Sequence, residues 1–333
     1  MNVAVVGATG AVGEAMLGIL EQRQFPINNI YPLASSRSAG NSVVFGGRSL
    51  EVGRLDEFDF STVDLGLFSA GASVSAEYAP KAIAAGCLVV DNTSHFRNDP
   101  EIPLIFFDFN LDELDLHKGI IANPNCSTIQ MVVALKPIYD AVGIRRINVA
   151  TYQAVSGAGR RAIEELAGQT AALLNGKKPT IEVMPKQIAF NVIPEIDVFQ
   201  DNGYTREEMK MVWETQKIFE DDTLMINPTM VRVPVFYGHS EAVHLETRDA
   251  VTASEVRQIL SMAPGVIVID DHTPGGYPTA VTEAAKQDGV FVGRIREDIS
   301  CDRGINLWIV SDNIRKGAAL NSIQISEALL DRM

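Results

Sequence analysis

Apolar runs alternate with glycine turns and amphipathic stretches through the first third of the chain. The run Asn2–Val6 leads into a glycine-containing turn and then into an amphipathic stretch that continues to Gln24. Two later apolar runs, at 64–69 and 87–91, flank a helical stretch at 76–85. Strands that alternate with helices in this way predict an α/β fold with a doubly wound parallel sheet.

The pattern changes after residue 146. Two helical stretches, at 160–174 and 205–219, lie among longer β-rich segments at 148–155, 230–237, 242–247, 290–296 and 305–311. Such segments predict an α+β domain with a largely antiparallel sheet. With 333 residues, the chain is too long for one core. We expect one domain over 1–127 and a second over 128–313, with a C-terminal helix at 314–333 that packs back on the first.

The turn after the first apolar run reads Gly7-Ala-Thr-Gly10-Ala-Val-Gly13. A strand, a glycine turn and a helix in this order are typical of a dinucleotide-binding βαβ unit, in which the pyrophosphate lies at the helix N-terminus. The glycines are spaced three plus three, whereas the more familiar spacing is two plus three. An ordinary strand-to-helix turn is the alternative.

The residues after the second strand bear on the choice of cofactor. An NAD site usually has an acidic residue about 20 positions after the glycines, which binds the ribose hydroxyls. Here the apolar run 29–34 ends in Ser35-Ser36-Arg37-Ser38, and no acidic residue follows until Glu51. A guanidinium flanked by hydroxyls suits a 2′-phosphate, which favours NADP. A solvated polar loop is the alternative.

Cys126 lies in the run Asn123-Pro-Asn-Cys-Ser-Thr, between a strand-like segment at 119–122 and a helix-like segment at 129–135. At a helix N-terminus, unpaired amides and the helix dipole stabilise a thiolate. This position predicts a nucleophile. A buried cysteine that packs as a small apolar residue is the alternative.

Composition narrows the class of protein. The three cysteines are far apart and lack Cys-x-x-Cys spacing, which argues against a disulfide framework and a zinc site. A net charge of −14 argues against nucleic acid and anionic membranes as partners. No apolar run reaches about 18 residues and no secretion signal is recognisable, so we expect a cytoplasmic protein.

Four motifs resemble those of aspartate-β-semialdehyde dehydrogenases, and the resemblance extends over nearly the whole chain. They are the glycine turn, the cysteine run, Thr-Tyr-Gln153-Ala-Val-Ser-Gly and Arg232-Val-Pro-Val-Phe-Tyr-Gly-His239-Ser. The seven-residue spacing from arginine to histidine is highly specific to that family. The chain departs from the family pattern at three positions, none of which is assigned chemistry: Met230, Thr93 and His95.

The resemblance implies an enzyme that uses NADPH to convert L-aspartyl 4-phosphate into L-aspartate 4-semialdehyde and phosphate. It implies a homodimer that serves the biosynthesis of lysine and diaminopimelate, methionine and threonine. Cys126 would be the nucleophile that forms a thioester, and His239 the general acid and base. Gln153 would orient the acyl group. His244 is a rival base, although its alternating position favours a structural role.

The resemblance also implies binding residues. Arg232 would bind the α-carboxylate and Glu207 the ammonium group, while Lys210 and Arg97 would bind the phosphate. Glu208 is an alternative to Glu207, and an exposed helix ion pair is the alternative for Glu207 and Lys210. The implied cofactor contacts are Gly7, Thr9, Gly10, Ala11, Val12, Ser35, Arg37, Ser38, Ser69, Gly71, Ser156, Gly157 and Asn313.

Two other functions fit part of this pattern. An N-acetyl-γ-glutamyl-phosphate reductase would share the cofactor fold and the thiol, but its substrate carries an acylated amine that gives Glu207 no cation to meet. A non-catalytic NADP-binding sensor would share only the fold. Against the sensor, Cys126, Gln153, Arg232 and His239 occur together.

Overall fold

The computed structural model describes residues 1–332. The chain forms two compact units, one made of Met1–Asn125 with Ala318–Met333 and the other of Cys126–Gly317. The helices and strands, in chain order, are β1 (Asn2–Val6), α1 (Ala11–Gln22), β2 (Asn29–Ala34), β3 (Ser42–Phe45), β4 (Arg48–Glu51), β5 (Gly53–Arg54), β6 (Leu65–Phe68), α2 (Ala72–Ala84), β7 (Leu88–Asp91), β8 (Ile120–Ala122), α3 (Cys126–Val142), β9 (Ile144–Gln153), α4 (Arg160–Leu174), α5 (Arg206–Phe219), β10 (Met225–Arg232), β11 (His239–Thr247), α6 (Ala253–Ser261), β12 (Val266–Val268), β13 (Val290–Glu297), β14 (Gly304–Ser311) and α7 (Leu320–Leu330).

The first unit is built on a six-stranded sheet in the order β5-β2-β1-β6-β7-β8. Every pairing in it is parallel. This is the strand order of a Rossmann-type fold, in which ligands bind beyond the carboxyl ends of the strands. Apolar side chains of α7 join the same core as those of β1 and α1, so the C-terminal helix belongs to this unit.

The second unit contains a six-stranded sheet in the order β10-β9-β11-β14-β13-β12. The three inner pairings are antiparallel, and the two outer pairings, β9 with β10 and β12 with β13, are parallel. The sheet is therefore mixed. A parallel pairing needs a long crossover, and the chain between β9 and β10 includes both α4 and α5. Helix α3 packs on one face of the sheet, against β9, β11, β13 and β14.

The sequence pattern predicted one strand over 230–237, and this prediction is wrong. Strand β10 ends at Arg232 and β11 begins at His239. The intervening residues bind a 3₁₀ segment instead, because Val155 and Ser156 donate amide hydrogens to the carbonyls of residues 235 and 236. The break places Arg232 at the end of one strand and His239 at the start of another.

Over residues 1–332, no helix is both long enough and apolar enough to span a membrane.

Candidate active site

The glycine turn of the first unit links β1 to α1 in a conformation that requires glycine at two of its positions. Gly7 has φ +91°, in the left-handed region that favours glycine. A Cβ at Gly13 would lie 2.2 Å from the carbonyl oxygen of Gly7. Gly10 is the N-cap of α1, and the amides of Ala11 and Val12 belong to its first turn. Such a bare turn before a helix N-terminus fits the pyrophosphate of a dinucleotide.

The other predicted cofactor residues of this unit follow strands at the same edge of the sheet. Ser35, Arg37 and Ser38 come directly after β2, in a turn closed by a 2.9 Å hydrogen bond from the amide of Ser38 to the carbonyl of Ser35. Arg37 is exposed and, among residues 1–332, forms no ion pair. Ser69 and Gly71 follow β6, which pairs with β1.

Arg97 belongs to the loop after β7. The residue is 7% exposed, and its Nη2 donates to the carbonyl of Asn92 at 2.9 Å. The same loop explains one departure from the family pattern. Thr93 donates its amide and its hydroxyl to the buried carboxylate of Asp91, which gives this residue a structural role.

In the second unit, Cys126 and His239 form a contact pair. Cys126 is the first residue of α3, and its Sγ lies 3.4 Å from His239 Nε2. The other ring nitrogen, Nδ1, accepts the amide hydrogen of Ala154 at 3.0 Å. An accepting Nδ1 carries no proton, so we assign the proton of the neutral ring to Nε2, facing the sulfur.

The surroundings keep this imidazole neutral. His239 is completely buried, and burial lowers its pKa well below the ordinary value, with a further lowering from the positive charge of Arg232. Protonation of the ring would also put a hydrogen on Nδ1, directly opposite the amide hydrogen of Ala154 that this atom now accepts. The pair is therefore suited to hold a thiolate beside a neutral N–H donor.

Ala154 orients two side chains of this site through its backbone N–H and C=O groups. The amide of Ala154 binds His239, and its carbonyl oxygen accepts from Arg232 Nη1 at 2.7 Å. Arg232 is 6% exposed. Burial lowers its pKa, and the negative charges of Glu207 and Cys126 oppose that shift, so the guanidinium shares its electrostatic environment with both groups.

The first turn of α5 contributes a second cluster of charges. Lys210 Nζ lies 2.9 Å from Glu207 Oε2 and 2.8 Å from Asp197 Oδ2. The Lys210 side chain is 13% exposed and that of Glu207 11%, so this is not the exposed helix ion pair considered as an alternative. Although burial opposes the charge of Lys210, the two carboxylates raise its pKa above the ordinary value.

Glu208 is occupied by the backbone. Its Oε2 accepts from the amide of Thr205 at 2.7 Å, and Thr205 Oγ1 accepts from the amide of Glu208, which forms a capping box at the start of α5. Its Oε1 accepts from the amide of Met230 at 3.0 Å. Of the two neighbouring glutamates, only Glu207 contacts Lys210 in this arrangement.

The remaining predicted residues of this unit lie close to the same groups. Gln153 ends β9, is 1% exposed, and its amide atoms have no hydrogen-bond partner among the described residues. A Cβ on Gly157 would lie 2.9 Å from Arg232 Nη1. Asn313 Nδ2 donates to Ser156 Oγ at 3.0 Å, and Asn313 Oδ1 accepts from the Gly238 amide.

Two residues that compete with Cys126 and His239 are placed elsewhere. Cys87 is buried, and burial raises the pKa of its thiol to about 12, which keeps it protonated. His244 lies five positions after His239 in β11, so its side chain points to the opposite face of the sheet. There its Nε2 lies 2.5 Å from Asp298 Oδ2.

Sequence reasoning missed three contributors. Ala154 acts through its backbone, and Asp197 contacts Lys210 from 13 positions away. Gly317 packs on the start of α3, where a Cβ would lie 2.6 Å from that of Cys126. None of these has a local signature. The capping box, by contrast, could have been read from Thr205-Arg-Glu-Glu208 and would have set Glu208 apart from Glu207.

Two family models match the chain in succession. The model described as semialdehyde dehydrogenase, NAD binding domain, matches residues 2–117. The model described as semialdehyde dehydrogenase, dimerisation domain, matches residues 135–316. Fold and site therefore define an oxidoreductase of the semialdehyde dehydrogenase class, with a nicotinamide-dinucleotide-binding first domain.

Individual relatives narrow this class. An aspartate-semialdehyde dehydrogenase of Legionella pneumophila is 64% identical over 331 residues, which are 99% of this chain and 95% of the relative. That of Aquifex aeolicus is 51% identical, with 99% of this chain and 98% of the relative covered. A crystal structure of aspartate semialdehyde dehydrogenase II from Vibrio cholerae, complexed with ASA, has a TM-score of 0.96 at 56% identity and covers 99% of this chain and 98% of that chain.

The chain belongs to the aspartate-semialdehyde dehydrogenase family. This confirms the resemblance and the fold class predicted from the sequence, since the second sheet is antiparallel at its three inner pairings and parallel only at its two outer ones. The acetylglutamyl-phosphate reductase and the sensor are not favoured.

Proposed function

We propose that this protein catalyses the reversible NADPH-dependent reductive dephosphorylation of L-aspartyl 4-phosphate to L-aspartate 4-semialdehyde through a thioester on Cys126. The observation that carries the proposal is the 3.4 Å contact between the thiol at the start of α3 and the Nε2 atom of a buried, neutral His239. The relatives and the ASA complex of the Vibrio cholerae enzyme support the substrate. In this role the enzyme serves lysine, methionine and threonine biosynthesis.

The first half-reaction is acyl transfer to sulfur. The thiolate of Cys126 attacks the acyl carbon, a C–S bond forms, and the C–O bond to phosphate breaks as phosphate leaves with the electron pair. Gln153 orients the acyl oxygen. Its buried amide, without a partner among residues 1–332, is available for that hydrogen bond.

The second half-reaction reduces the thioester. When bound to the first domain, the nicotinamide cofactor supplies a hydride to the acyl carbon. His239 donates a hydrogen bond from its Nε2–H to the oxyanion that develops there and keeps the proton. Ala154 fixes the ring so that this N–H faces the reacting atoms. Collapse of the tetrahedral adduct breaks the C–S bond, releases the aldehyde and regenerates the thiolate.

Substrate recognition requires three charged groups to be bound together. Arg232 binds the α-carboxylate through two parallel hydrogen bonds, and Glu207 binds the ammonium group. Lys210 and Arg97 bind the phosphate. Lys210 has two carboxylate neighbours, so phosphate competes with Asp197 for the ammonium of this lysine.

NADP is the proposed cofactor. Arg37 is exposed beyond β2 without an ion-pair partner among the described residues, and Ser35 and Ser38 flank it. These groups suit a 2′-phosphate. A related enzyme supports the choice: a Candida albicans aspartate semialdehyde dehydrogenase structure with NADP has a TM-score of 0.76 at 26% identity and covers 99% of this chain and 98% of that chain.

The remaining predicted cofactor contacts complete the proposed site. In the first domain they are Gly7, Thr9, Gly10, Ala11, Val12, Ser69 and Gly71, and in the second they are Ser156, Gly157 and Asn313, near the nicotinamide. A homodimer is also part of the proposal, supported by the match of residues 135–316 to a dimerisation domain.

The decisive experiment measures NADPH formation from aspartate semialdehyde with and without phosphate. We expect turnover only with phosphate, because phosphate must attack the thioester carbon and displace the Cys126 thiolate. Cys126→Ala should abolish turnover with NADP binding near normal, since the glycine turn is untouched. Cys301→Ala, which changes a half-buried cysteine outside the proposed site, is the matched control and should retain turnover. Catalytic NADPH formation without phosphate would refute the proposed reaction.

A further inference from the structure

A group of buried polar side chains lies between the second unit's sheet and helix α3, which covers one face of that sheet. We call this group the polar layer; its members are Gln130, Thr151, Gln153 and Glu241. Each is at most 1% exposed, and each has side-chain polar atoms without a hydrogen-bond partner among residues 1–332. Most buried polar groups in proteins are paired. Four such exceptions in one place call for an explanation.

The polar layer lies directly behind the thiol and the imidazole. Glu241 is two residues after His239 in β11, so both side chains project from the same face of the sheet. Gln130 is one turn after Cys126 on α3, which packs against β11. Gln130 and Glu241 therefore lie one step further along α3 and β11 than Cys126 and His239.

Strand β9, which pairs with β11, contributes the other two members of the polar layer. Thr151 is directly opposite Glu241 in the antiparallel ladder of β9 and β11. Gln153 is two residues further on, on the same face as Thr151 and next to the start of β11. The layer therefore connects Glu241 with the glutamine proposed to orient the acyl group.

The charge state of Glu241 follows from its surroundings. Burial raises the pKa of its carboxyl group well above the ordinary value, and only the amide of Gln130 opposes this shift. Among the elements packed on β11, β14 has no titratable side chain. Strand β9 has Arg145 and Arg146 at its far end and the outward-facing Tyr152.

Helix α3 adds Cys126 one turn before Gln130, while its other titratable groups, Lys136, Tyr139 and Asp140, lie in its second half. A carboxylate at Glu241 would repel the thiolate and favour a charged imidazole. A neutral acid does neither.

We propose that Glu241 is a neutral carboxylic acid, that its protonation lets it form a hydrogen-bonded pair with the amide of Gln130 and so supplies the partners both side chains lack, and that this pair positions Cys126, His239 and Gln153 for the reaction. A neutral acid donates one hydrogen to the amide oxygen and accepts one from the amide nitrogen, whereas a carboxylate only accepts. Glu241 is thus a positioning residue. The inference rests on the proposed function and adds a residue to it.

Two variants test the role of the acid. Glu241→Gln keeps a donor and an acceptor, so it should retain kcat within a small factor of the parent enzyme. Glu241→Leu removes both and leaves Gln130 unpaired. It should lower kcat by about 10- to 100-fold, the usual effect of displacing reacting groups by up to 1 Å, with the KM for phosphate little changed. Thr215→Val is the control, because it removes another buried hydroxyl without a partner among the described residues, on α5, and should leave kcat unchanged.

Infrared spectroscopy tests the protonation directly and needs no turnover. At pH 7, the difference spectrum between the parent protein and Glu241→Gln should contain the carbonyl stretch of a protonated carboxyl group. The absence of this band would overturn the proposal, even if Glu241→Leu fails to fold.

Kinetics can overturn the proposal separately. A Glu241→Gln variant as impaired as Glu241→Leu would show that the carboxylate is required, and a fully active Glu241→Leu variant would show that the residue positions nothing. Phosphate-dependent turnover of the parent is measured alongside. Its absence refutes the proposed function and leaves the protonation result standing.

Discussion

Adding one methyl group at Gly157 should impair the enzyme while leaving it folded. The new Cβ would lie 2.9 Å from Arg232 Nη1 and 3.4 Å from His239 Nε2. The first contact is too short to persist, so the guanidinium must move. Gly157 is not among the glycines with positive φ, so alanine fits the backbone.

The expected fall in kcat/KM follows from the hydrogen bonds that Arg232 would lose. Its Nη1 donates to the carbonyl of Ala154 at 2.7 Å in a buried setting, and the same guanidinium is proposed to bind the substrate carboxylate. A hydrogen bond to a charged group contributes about 1.5–3 kcal/mol. If the methyl group weakens one such bond, kcat/KM should fall by about 10- to 100-fold. A typical free energy of unfolding of about 5–15 kcal/mol leaves the variant folded.

The assay is steady-state kinetics with aspartate semialdehyde as the varied substrate, together with thermal melting and NADP titration. Gly168→Ala is the matched control, since no atom lies within 4 Å of the added Cβ, in the exposed middle of α4. It should raise the free energy of unfolding by about 0.5–1 kcal/mol without changing kcat/KM. A Gly157→Ala variant with parental kcat/KM would refute the reasoning about Arg232.

Three further substitutions test the remaining assignments. Arg37→Ala should weaken the binding of NADP far more than that of NAD in parallel titrations, and an equal loss would make the arginine structural. His239→Ala should lower kcat by about 10² to 10⁴. His244→Ala should instead lower thermal stability, because it removes the contact with Asp298. If His244→Ala lowered kcat more than His239→Ala did, the acid–base role would belong to His244. Lys210→Ala should raise the KM for phosphate by about one to two decades with NADP affinity little changed. An unaffected phosphate KM would leave the lysine only its ion pairs with Glu207 and Asp197.

Much of the local structure could be predicted because its causes are local. The prediction of a helix over 160–174 matches α4, and that of a strand over 29–34 matches β2. The position of Cys126 at a helix start was also predictable, although α3 begins at the cysteine itself and extends to Val142. Periodicity and glycine turns are properties of short windows, so they can be read without knowledge of the fold.

Elements whose partners are distant in sequence were predicted less well. The strand expected over 230–237 is cut at Arg232, because the following residues bind the 3₁₀ segment near residue 155. The parallel pairing of β9 with β10 was not foreseen either. Both features depend on hydrogen bonds to segments more than 70 residues away, and a window of sequence contains no trace of those partners.

The sequence by itself determined the class of fold and the family, and it predicted the nucleophile, because these depend on residue types, their spacing and the order of elements. Only the tertiary structure decided how the groups act on one another. It set the tautomer of His239 through the Ala154 amide, assigned Glu208 to the backbone, and gave Lys210 a second carboxylate neighbour in Asp197. It also buried Glu241 behind the thiol. Burial, hydrogen-bond partners and electrostatic fields arise only when distant segments pack together, and these quantities fix protonation and orientation.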